Sequence, residues 1–347
     1  METDPVGTRQ RSASRISMQD VARRAGVAPS SVSRVLSGHP NVSEVMCNRV
    51  VDAVSALGYE PDLLAQSLRR GASLTVGFVV GNVSNPLLSE IALGAETRLQ
   101  AAGYSMLLAN SMNQPELDAA HIRLFAQRRV DGMLLSVSSE DWQGTIDAVN
   151  KARLPAVLVD RELDVEGRVS SVLAEHDVGI AAAVRHLASL GHRRIALVNG
   201  PPNLRPARDR AATLRRVSRQ LGIASSVRSG DFNAQHGEHA TRSLLAEPDP
   251  PTALVAGSNQ LLAGVLRALH QLQRRIPDDV SLVTCDALPL AEFLVPPLAT
   301  IARDHHATGV IAASLLLELL SGAKPRIEKV PTTYHPAASV GAIAAAS

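Results

Sequence analysis

The chain has 347 residues, of which 45% are hydrophobic and 20% charged, and this length suits two or three domains with cores of their own. Only 2% of the residues are aromatic, so those cores must consist of Leu, Val, Ile and Ala. Cys47 and Cys285 are too few for a disulfide framework or a zinc cluster. No apolar run of about 18 residues could span a membrane, and the polar N-terminal segment lacks a secretory signal, so we expect a cytoplasmic protein.

Positive charge is concentrated near the N-terminus. Residues 1–73 hold nine Arg, no Lys and seven acidic residues, a net charge of +2, whereas the rest of the chain holds 26 basic and 26 acidic residues. An excess of this size gives weak, non-specific attraction to phosphates. Charge alone therefore does not predict a DNA-binding protein.

Two short helices joined by a tight turn are predicted over residues 16–38, after a flexible tail over residues 1–15. Ser17 is a good N-cap with Asp20 three residues on, close to a capping box, and Gly26 ends the first helix. A third helix, which Ser43 caps and Gly58 ends, would complete a three-helix core.

The second helix has one apolar face and one small, polar face. Pro29 fits its first turn, and Val32, Val35 and Leu36 repeat at helical spacing. Short hydroxyl donors and one forked cation lie opposite: Ser30, Ser31, Ser33 and Arg34. A helix with such a face can lie in the major groove of DNA.

These residues also carry a family resemblance. The run DVARRAGVAPSSVSRVLSG resembles the helix-turn-helix of the lac repressor and galactose repressor family of bacterial regulators, and the similarity continues through Val42 and Ser43 to Gly58-Tyr59, with Pro61 beyond. It implies a DNA-binding headpiece over residues 16–58. The candidate DNA contacts in and next to it are Ser17, Met18, Pro29, Ser30, Ser31, Ser33, Arg34, Ser37 and Tyr59.

Residues 59–73 are predicted to form a hinge. They offer only about two helical turns, which is marginal for an isolated helix in water. In the resembling family, the matching stretch folds on operator DNA, and a leucine opens the central base step from the minor groove. The resemblance gives that role to Leu68 and places Ala65 on the groove floor, while Asp62 departs from the usual Asn. A plain amphipathic linker is the alternative.

From Leu74 onward, apolar strand-like runs alternate with helical stretches. Runs such as TVGFVV, PAVLVD, RIALVNG and SLVTCD predict parallel sheets covered on both faces. The predicted fold class is a small all-α headpiece plus an α/β core of two parallel-sheet lobes, and the family core is similar to periplasmic sugar-binding proteins. The core would span residues 74–347, with lobes of about 74–173 plus 305–332 and 174–304 plus the C-terminal tail. The helices expected between strands lie at 87–102, 115–127, 178–190, 207–221 and 260–273.

Candidate ligand-binding residues lie near the carboxyl ends of these strands, where a cleft between the lobes is expected. Asp160 ends PAVLVD, Asp286 ends SLVTCD, Arg210 lies in the helix after a Pro-rich loop and Phe232 follows VRSGD. Carboxylates accept hydrogen bonds from hydroxyls, a guanidinium donates in pairs, and a ring covers an apolar face, so the set suits a polar hydroxylated ligand. The resemblance places these four residues at effector-contacting positions.

Two departures from the family pattern fall at the same cleft. Leu87 and Leu88 replace the usual aromatic residues, and Ser258-Asn259 replaces Asn-Asp. One wall is therefore expected to be less polar and to lack a stacking ring. Leu88 and Ser258 join the four residues above. The complete set of candidate effector-binding residues is Leu88, Asp160, Arg210, Phe232, Ser258 and Asp286.

The sequence carries no catalytic motif: it has no phosphate-binding G-x-x-x-x-G-K-[ST], no H-E-x-x-H and no G-x-S-x-G. The sequence has two close pairs of histidines, His236 with His239 and His305 with His306. Neither pair has a Cys or a well-spaced acidic residue as a third metal ligand. We therefore expect no enzyme activity, no cofactor and no metal.

The predicted function is that of a transcription regulator, a homodimer or a higher oligomer, that binds pseudo-palindromic double-stranded operator DNA. A repressor is the simplest form, with operator affinity modulated by a small, sugar-like effector, either inducer or corepressor, and without membrane contact. The alternatives are a solute-binding protein without DNA function and a regulator that has lost its effector response.

Overall fold

The structure is a computed structural model and describes residues 16–36, 39, 41–59, 72–286, 291 and 293–343. It divides into two compact units, Met1–Ser73 and Leu74–Ser347. No helix within the described ranges is long and apolar enough to cross a bilayer.

The described residues of the first unit contain three helices: α1 (Met18–Ala25), α2 (Pro29–Leu36) and α3 (Glu44–Leu57). The predicted capping box is present, because the Ser17 hydroxyl accepts from the amide of Asp20 and the Asp20 carboxylate accepts from the amide of Ser17. Gly26 and Gly58 end α1 and α3 in the left-handed conformation. The buried side chains that hold the three helices together are Val21, Ala22, Ala25, Val32, Val35, Val50, Ala53 and Tyr59.

The first lobe of the second unit is built on a six-stranded sheet. Its strands lie in the order β11-β5-β4-β3-β1-β2, and every neighbouring pair is parallel. Four helices cover its two faces. In chain order the elements are β1 (Thr75–Val80), α4 (Pro86–Gln100), β2 (Ser105–Asn110), α5 (Pro115–Gln127), β3 (Gly132–Ser136), α6 (Gln143–Ala152), β4 (Ala156–Val159), β5 (Val169–Glu175), α11 (His305–Leu320) and β11 (Ile327–Pro331).

The second lobe has a sheet of the same size, in the order β12-β10-β9-β8-β6-β7. All its pairs are parallel except β10 with β12, which is antiparallel. Its elements are α7 (His176–Ser189), β6 (Arg194–Asn199), α8 (Arg205–Leu221), β7 (Ala224–Ser229), α9 (Ala234–Leu245), β8 (Ala253–Ala256), α10 (Asn259–Gln271), β9 (Ser281–Cys285), β10 (Ala299–Ala302) and β12 (Thr333–His335).

The predicted fold class is confirmed, with two local differences. Helices α6, α9 and α11 were not singled out by the sequence pattern, because their apolar residues are interrupted or, in α11, run around the whole helix. Strand β2 reads as a buried apolar run, yet Leu107 and Leu108 are 41% and 43% exposed. The reason is its place at the edge of the first sheet, where it has one neighbouring strand.

The chain crosses between the lobes three times. The crossings lie between β5 and α7, between β10 and α11, and between β11 and β12. The third crossing adds one strand to each sheet, so neither lobe is a continuous stretch of sequence. Helix α11 packs on α4, where the backbones approach closely at Gly94 and Gly309.

Candidate functional site

The carboxyl ends of strands from both sheets face one cleft between the two lobes. Its space amounts to about 690 Å³, part of which is open to solvent. All six residues predicted to contact an effector line this one cleft: Leu88, Asp160, Arg210, Phe232, Ser258 and Asp286. Their convergence is a property of the fold, whereas ligand binding by them remains a prediction.

Asp160 follows β4 in the first lobe and is held by donors from several elements. Its carboxylate accepts from the amide of Ala174 at 3.2 Å. It lies 3.0 Å from Nε2 of His176, 3.1 Å from Nη1 of Arg205 and 2.6 Å from Nη1 of Arg303. Arg205 begins α8 of the second lobe, so the Arg205–Asp160 ion pair joins the lobes directly.

Asp286 occupies the equivalent place after β9 in the second lobe. Its carboxylate lies 3.2 Å from Nη2 of Arg210, 3.2 Å from Nε2 of His305 and 3.4 Å from Nε of Arg303. Both Asp160 and Asp286 have a φ of 54°, a left-handed conformation that Asp adopts more readily than most residues. Arg303 thus bridges two buried carboxylates, one from each lobe.

The arginine bridge keeps both aspartates ionised. Burial alone would raise the pKa of Asp160 and of Asp286, but Arg303 together with the other donors around each carboxylate outweighs burial and lowers both pKa values well below the ordinary range. Burial likewise disfavours a charged Arg303, but the two carboxylates raise its pKa further above its usual value.

His176 contacts the same network as a neutral ring. Burial lowers the pKa of His176 to about 4, although the Asp160 carboxylate opposes the shift. At neutral pH, His176 therefore donates a hydrogen bond from Nε2 to Asp160 without adding a charge.

Two buried polar atoms at the cleft have no hydrogen-bond partner in the part of the chain that the structure describes. They are Nε of Arg210, a donor, and Oδ1 of Asn259, an acceptor. Asn259 also donates from Nδ2 to Asn85 at 3.0 Å, which joins α10 to the residue that caps α4 in the other lobe. A ligand that offers an acceptor to Arg210 and a donor to Asn259 would satisfy both atoms.

The remaining wall of the cleft is apolar. Leu87, Leu88 and Ile91 come from the first turns of α4, as the departures from the family pattern predict, and Phe232 faces the cleft from the second lobe. Gly200 makes room for the Phe232 ring, since a Cβ at that position would lie 2.1 Å from it. Ser258 lines the cleft but is also the N-cap of α10, where its hydroxyl accepts from the amide of Leu261.

Several cleft residues were missed by the sequence reasoning. Arg161 directly follows Asp160, and Arg303 follows β10. A signal existed for Arg161, since it comes just after the strand end that was recognised at Asp160, but not for Arg303. Strand β10 has only four residues, ATIA, and did not stand out as a strand. His176 and His305 begin α7 and α11, and only the fold brings them to the two aspartates.

No group of three or more His, Cys, Asp and Glu side chains within the described ranges is arranged to hold a metal ion. His236 lies 3.3 Å through Nε2 from the carbonyl of Arg228, and His305 contacts Asp286.

In the first unit, the polar face of α2 is accessible. Pro29, Ser30 and Arg34 are exposed, and Ser31 and Ser33 are half-buried. Nη2 of Arg34 lies 3.3 Å from Nδ1 of His39. Ser17 is exposed as the N-cap of α1, and Met18 is half-buried against the core of the unit.

Tyr59 is less accessible than the other predicted DNA contacts. Its side chain is only 8% exposed and packs in the core of the three helices, and its contact with DNA stays a prediction. Its placement therefore supports a role in packing α3 onto the other helices. The predicted DNA contacts Ser37, Ala65 and Leu68 lie outside the described residues, as does Asp62.

Each of the two units contains a region that matches a known protein family. Residues 17–62 match the family described as bacterial regulatory proteins, lacI family, and residues 184–340 match a periplasmic binding protein-like domain. The ribose operon repressor of Escherichia coli is 32% identical over 308 residues, which cover 88% of this chain and 93% of the repressor. The chain belongs to the lacI family of bacterial regulatory proteins.

Solved structures of the lacI family show the same build. The Lac repressor dimer bound to operator and the anti-inducer ONPF superposes with a TM-score of 0.82 at 27% identity, over 94% of this chain and 99% of that one. A lacI family regulator from Enterococcus faecium with bound ribose gives a TM-score of 0.69 at 25% identity, over 78% of this chain and 100% of that one. The predicted family, headpiece and two-lobed core are thereby confirmed.

Proposed function

We propose that this chain is a sequence-specific DNA-binding repressor whose operator affinity is modulated by a small hydroxylated ligand held between the lobes of its core. The observation that carries the ligand-responsive part is the convergence of six predicted residues from both lobes on one cleft. Membership of the lacI family supports the DNA-binding part. The protein would act on DNA in the cytoplasm, without catalysis and without a cofactor.

The headpiece would contact DNA through α2, with Ser30, Ser31, Ser33 and Arg34 toward the base edges of the major groove. One helix of eight residues reads few base pairs, so a two-fold dimer that binds two half-sites is the natural unit. The Lac repressor, to which this chain is similar, forms a dimer that binds its operator.

The cleft would control DNA affinity by linkage. A ligand that favours one arrangement of the two lobes changes the affinity for DNA, and DNA changes the affinity for the ligand by the same factor. The sign of the effect, induction or corepression, follows from which arrangement the ligand favours. Arg210 and Asp286 in one lobe and Asp160 in the other are the residues through which the ligand would act.

The direct test is selection of bound DNA from a random pool with the full chain, followed by titration of the enriched sequence. We expect enrichment of a pseudo-palindrome. Arg34→Ala should reduce affinity for it by about 1–3 kcal/mol if Arg34 contacts a base edge. Arg219→Ala, which removes an exposed arginine of α8 in the core, is the matched control and should leave affinity unchanged.

The outcomes separate the alternatives. Equal weakening of specific and non-specific binding by Arg34→Ala would assign Arg34 to a phosphate, and unchanged binding would remove α2 as the recognition helix. If the pool yields no enriched sequence, the DNA-binding proposal fails and a solute-binding protein remains.

A further inference from the structure

The two cleft aspartates are already occupied. Asp160 accepts from the amide of Ala174 and contacts His176, Arg205 and Arg303, all within 3.2 Å. Asp286 is shared by Arg210, Arg303 and His305. A neutral sugar is normally held by carboxylates that accept from its hydroxyls, and here each carboxylate already faces at least three donors or cations of the protein.

Arg303 is the residue that occupies both carboxylates at once. Its side chain is only 9% exposed, and Nη1 donates to Asp160 at 2.6 Å. Nε lies 3.4 Å from Asp286, with which it forms an ion pair, and donates to Nε2 of His305 at 3.3 Å. A ligand hydroxyl that took either place would separate a buried ion pair and leave a guanidinium unpaired, which is costly. The cleft therefore resists ligands that need acceptors.

Donors, by contrast, remain available. Nε of Arg210 is buried without a partner among the described residues, on a side chain that is 3% exposed. Arg161 donates from Nε to the carbonyl of Val137 and from Nη1 to that of Asp160, so that Nη2 remains as its donor toward the cleft. Asp160 and Glu140 attract its charge, but neither forms an ion pair with it among the described residues. Of the five charged side chains that line the cleft, three are arginines and two are aspartates.

The acidic residues just outside the cleft do not cancel the excess of arginine over aspartate among the residues that line it. Glu140 lies 2.8 Å from Arg208, and Glu162 lies 3.4 Å from both Arg205 and Arg208. These pairs join the lobes at the rim and leave the guanidinium of Arg161 on the cleft wall.

We propose that Arg303 sets the ligand class of this cleft: because it occupies both aspartates, the cleft recognises a hydroxylated anion through Arg161 and Arg210 rather than a neutral sugar through its carboxylates. The anionic group, a carboxylate or a phosphate, accepts from the two guanidinium groups. A hydroxyl of the ligand donates to Oδ1 of Asn259, and its apolar face lies on Leu88 and Phe232. This inference rests on the proposed ligand-responsive function and narrows its ligand.

The test compares matched ligands on the full chain by isothermal titration. One series is D-ribose, D-ribonate and D-ribose 5-phosphate, and a second is D-glucose, D-glucuronate and D-glucose 6-phosphate. We expect at least one anion to bind about tenfold tighter than the neutral sugar of its series, since a charge-assisted hydrogen bond is roughly twice as strong as a neutral one and the anion makes more than one of them. Tighter binding of the sugar acid indicates a carboxylate ligand, and tighter binding of the sugar phosphate indicates a phosphate ligand. Added salt should weaken the anion selectively.

Variants test whether Arg161 and Arg303 cause the preference for anions. Arg161→Gln should lower affinity for the anion about tenfold or more, whereas Arg219→Gln, an exposed arginine of the same core, should not change it. Arg303→Gln frees the aspartates and should shift preference toward the neutral sugar. If Arg303→Gln does not fold, the wild-type comparison and Arg161→Gln still decide the matter.

Neutral sugars that bind as tightly as their anions would overturn the inference, and so would the absence of binding by every anion tested. Tight binding of ribose itself would overturn it while the proposed function stands. Failure of the random-pool selection would overturn the proposed function whatever the cleft binds.

Discussion

Asp160 and Asp286 show what a single residue contributes here, because each ends a strand and each holds a buried negative charge at an interface between lobes. Their positions at strand ends were predictable, since a strand can be recognised from its apolar run. Their partners were not, because Arg303, His176 and His305 come from distant parts of the chain. A buried ion pair is weak evidence for stability, but loss of one partner leaves the other charge unpaired.

His176 gives the core a pH dependence that can be measured. Its pKa falls from an ordinary 6.5 to about 4 on folding, so between these values the unfolded chain binds more protons than the folded one. Stability must therefore fall as the pH falls from 6.5 to about 4, by about 3 kcal/mol from this residue. His176→Gln keeps a donor for Asp160 but cannot titrate, and it should flatten this slope in urea unfolding.

Exposed His239 on α9 supplies the control, and His239→Gln should keep the wild-type slope. The same slope in His176→Gln would contradict the buried neutral ring. The lowered pKa values of Asp160 and Asp286 act in the same direction at lower pH, since their contribution is lost as the pH drops below the ordinary carboxylate range.

Among the elements, α4 and α11 make the closest helix pair of the first lobe. A Cβ at Gly309 would lie 2.0 Å from the carbonyl oxygen of Ile91, and one at Gly94 would lie 2.1 Å from that of His306. Backbone atoms cannot move aside as a flexible side chain can, so both positions require Gly. The sequence could predict α4 from its periodicity, but it could not predict that a helix more than 200 residues later would cover it.

Gly309→Ala is expected to destabilise the core by about 2–3 kcal/mol, because α11 must separate from α4 to admit one methyl group. The measurement is the midpoint of urea unfolding of the full chain. Val310→Ala, a half-buried neighbour on the same helix, is the control and should cost less. An unchanged midpoint in Gly309→Ala would show that the two helices do not approach as closely as described.

The hinge is the element for which the prediction still rests on sequence alone, since Leu68 lies outside the described residues. Leu68→Ala should weaken specific binding strongly and spare the salt-sensitive non-specific mode, because an apolar wedge contributes only at the opened base step. Titration of selected and scrambled DNA at the same salt measures both modes. Equal loss on both, or no loss on either, would remove the wedge assignment.

At the scale of the whole molecule, ligand binding in the cleft must change the affinity for DNA. Arg210→Ala should abolish the response to ligand while DNA affinity without ligand stays as in the wild type, because Arg210 is buried in the core and the predicted DNA contacts lie in the other unit. The measurement is DNA affinity with and without saturating ligand. A response that survives Arg210→Ala would move the ligand away from this cleft.

The arrangement of two lobes with a cleft between them was predictable, because alternating apolar strands and helices leave few alternatives. The contacts that hold the two lobes together around the cleft were not predictable. Contacts such as Arg205–Asp160, Asn203–Ser139 and Arg208–Glu140 depend on how the lobes meet, and no local pattern encodes that.

The three crossings also set the order in which the protein can be completed during synthesis. The first lobe buries α4 against α11 and pairs β5 with β11, so its core needs Ala312, Leu316 and Val330. A ribosome reaches those residues only after it has made the strands β6 to β10 of the second lobe. The first lobe is thus completed only after most of the second lobe has been made, and β12, the last strand of the chain, then completes the second lobe. Until α11 and β11 have been made, the nascent sheet of the first lobe exposes an apolar face, which a chaperone could bind.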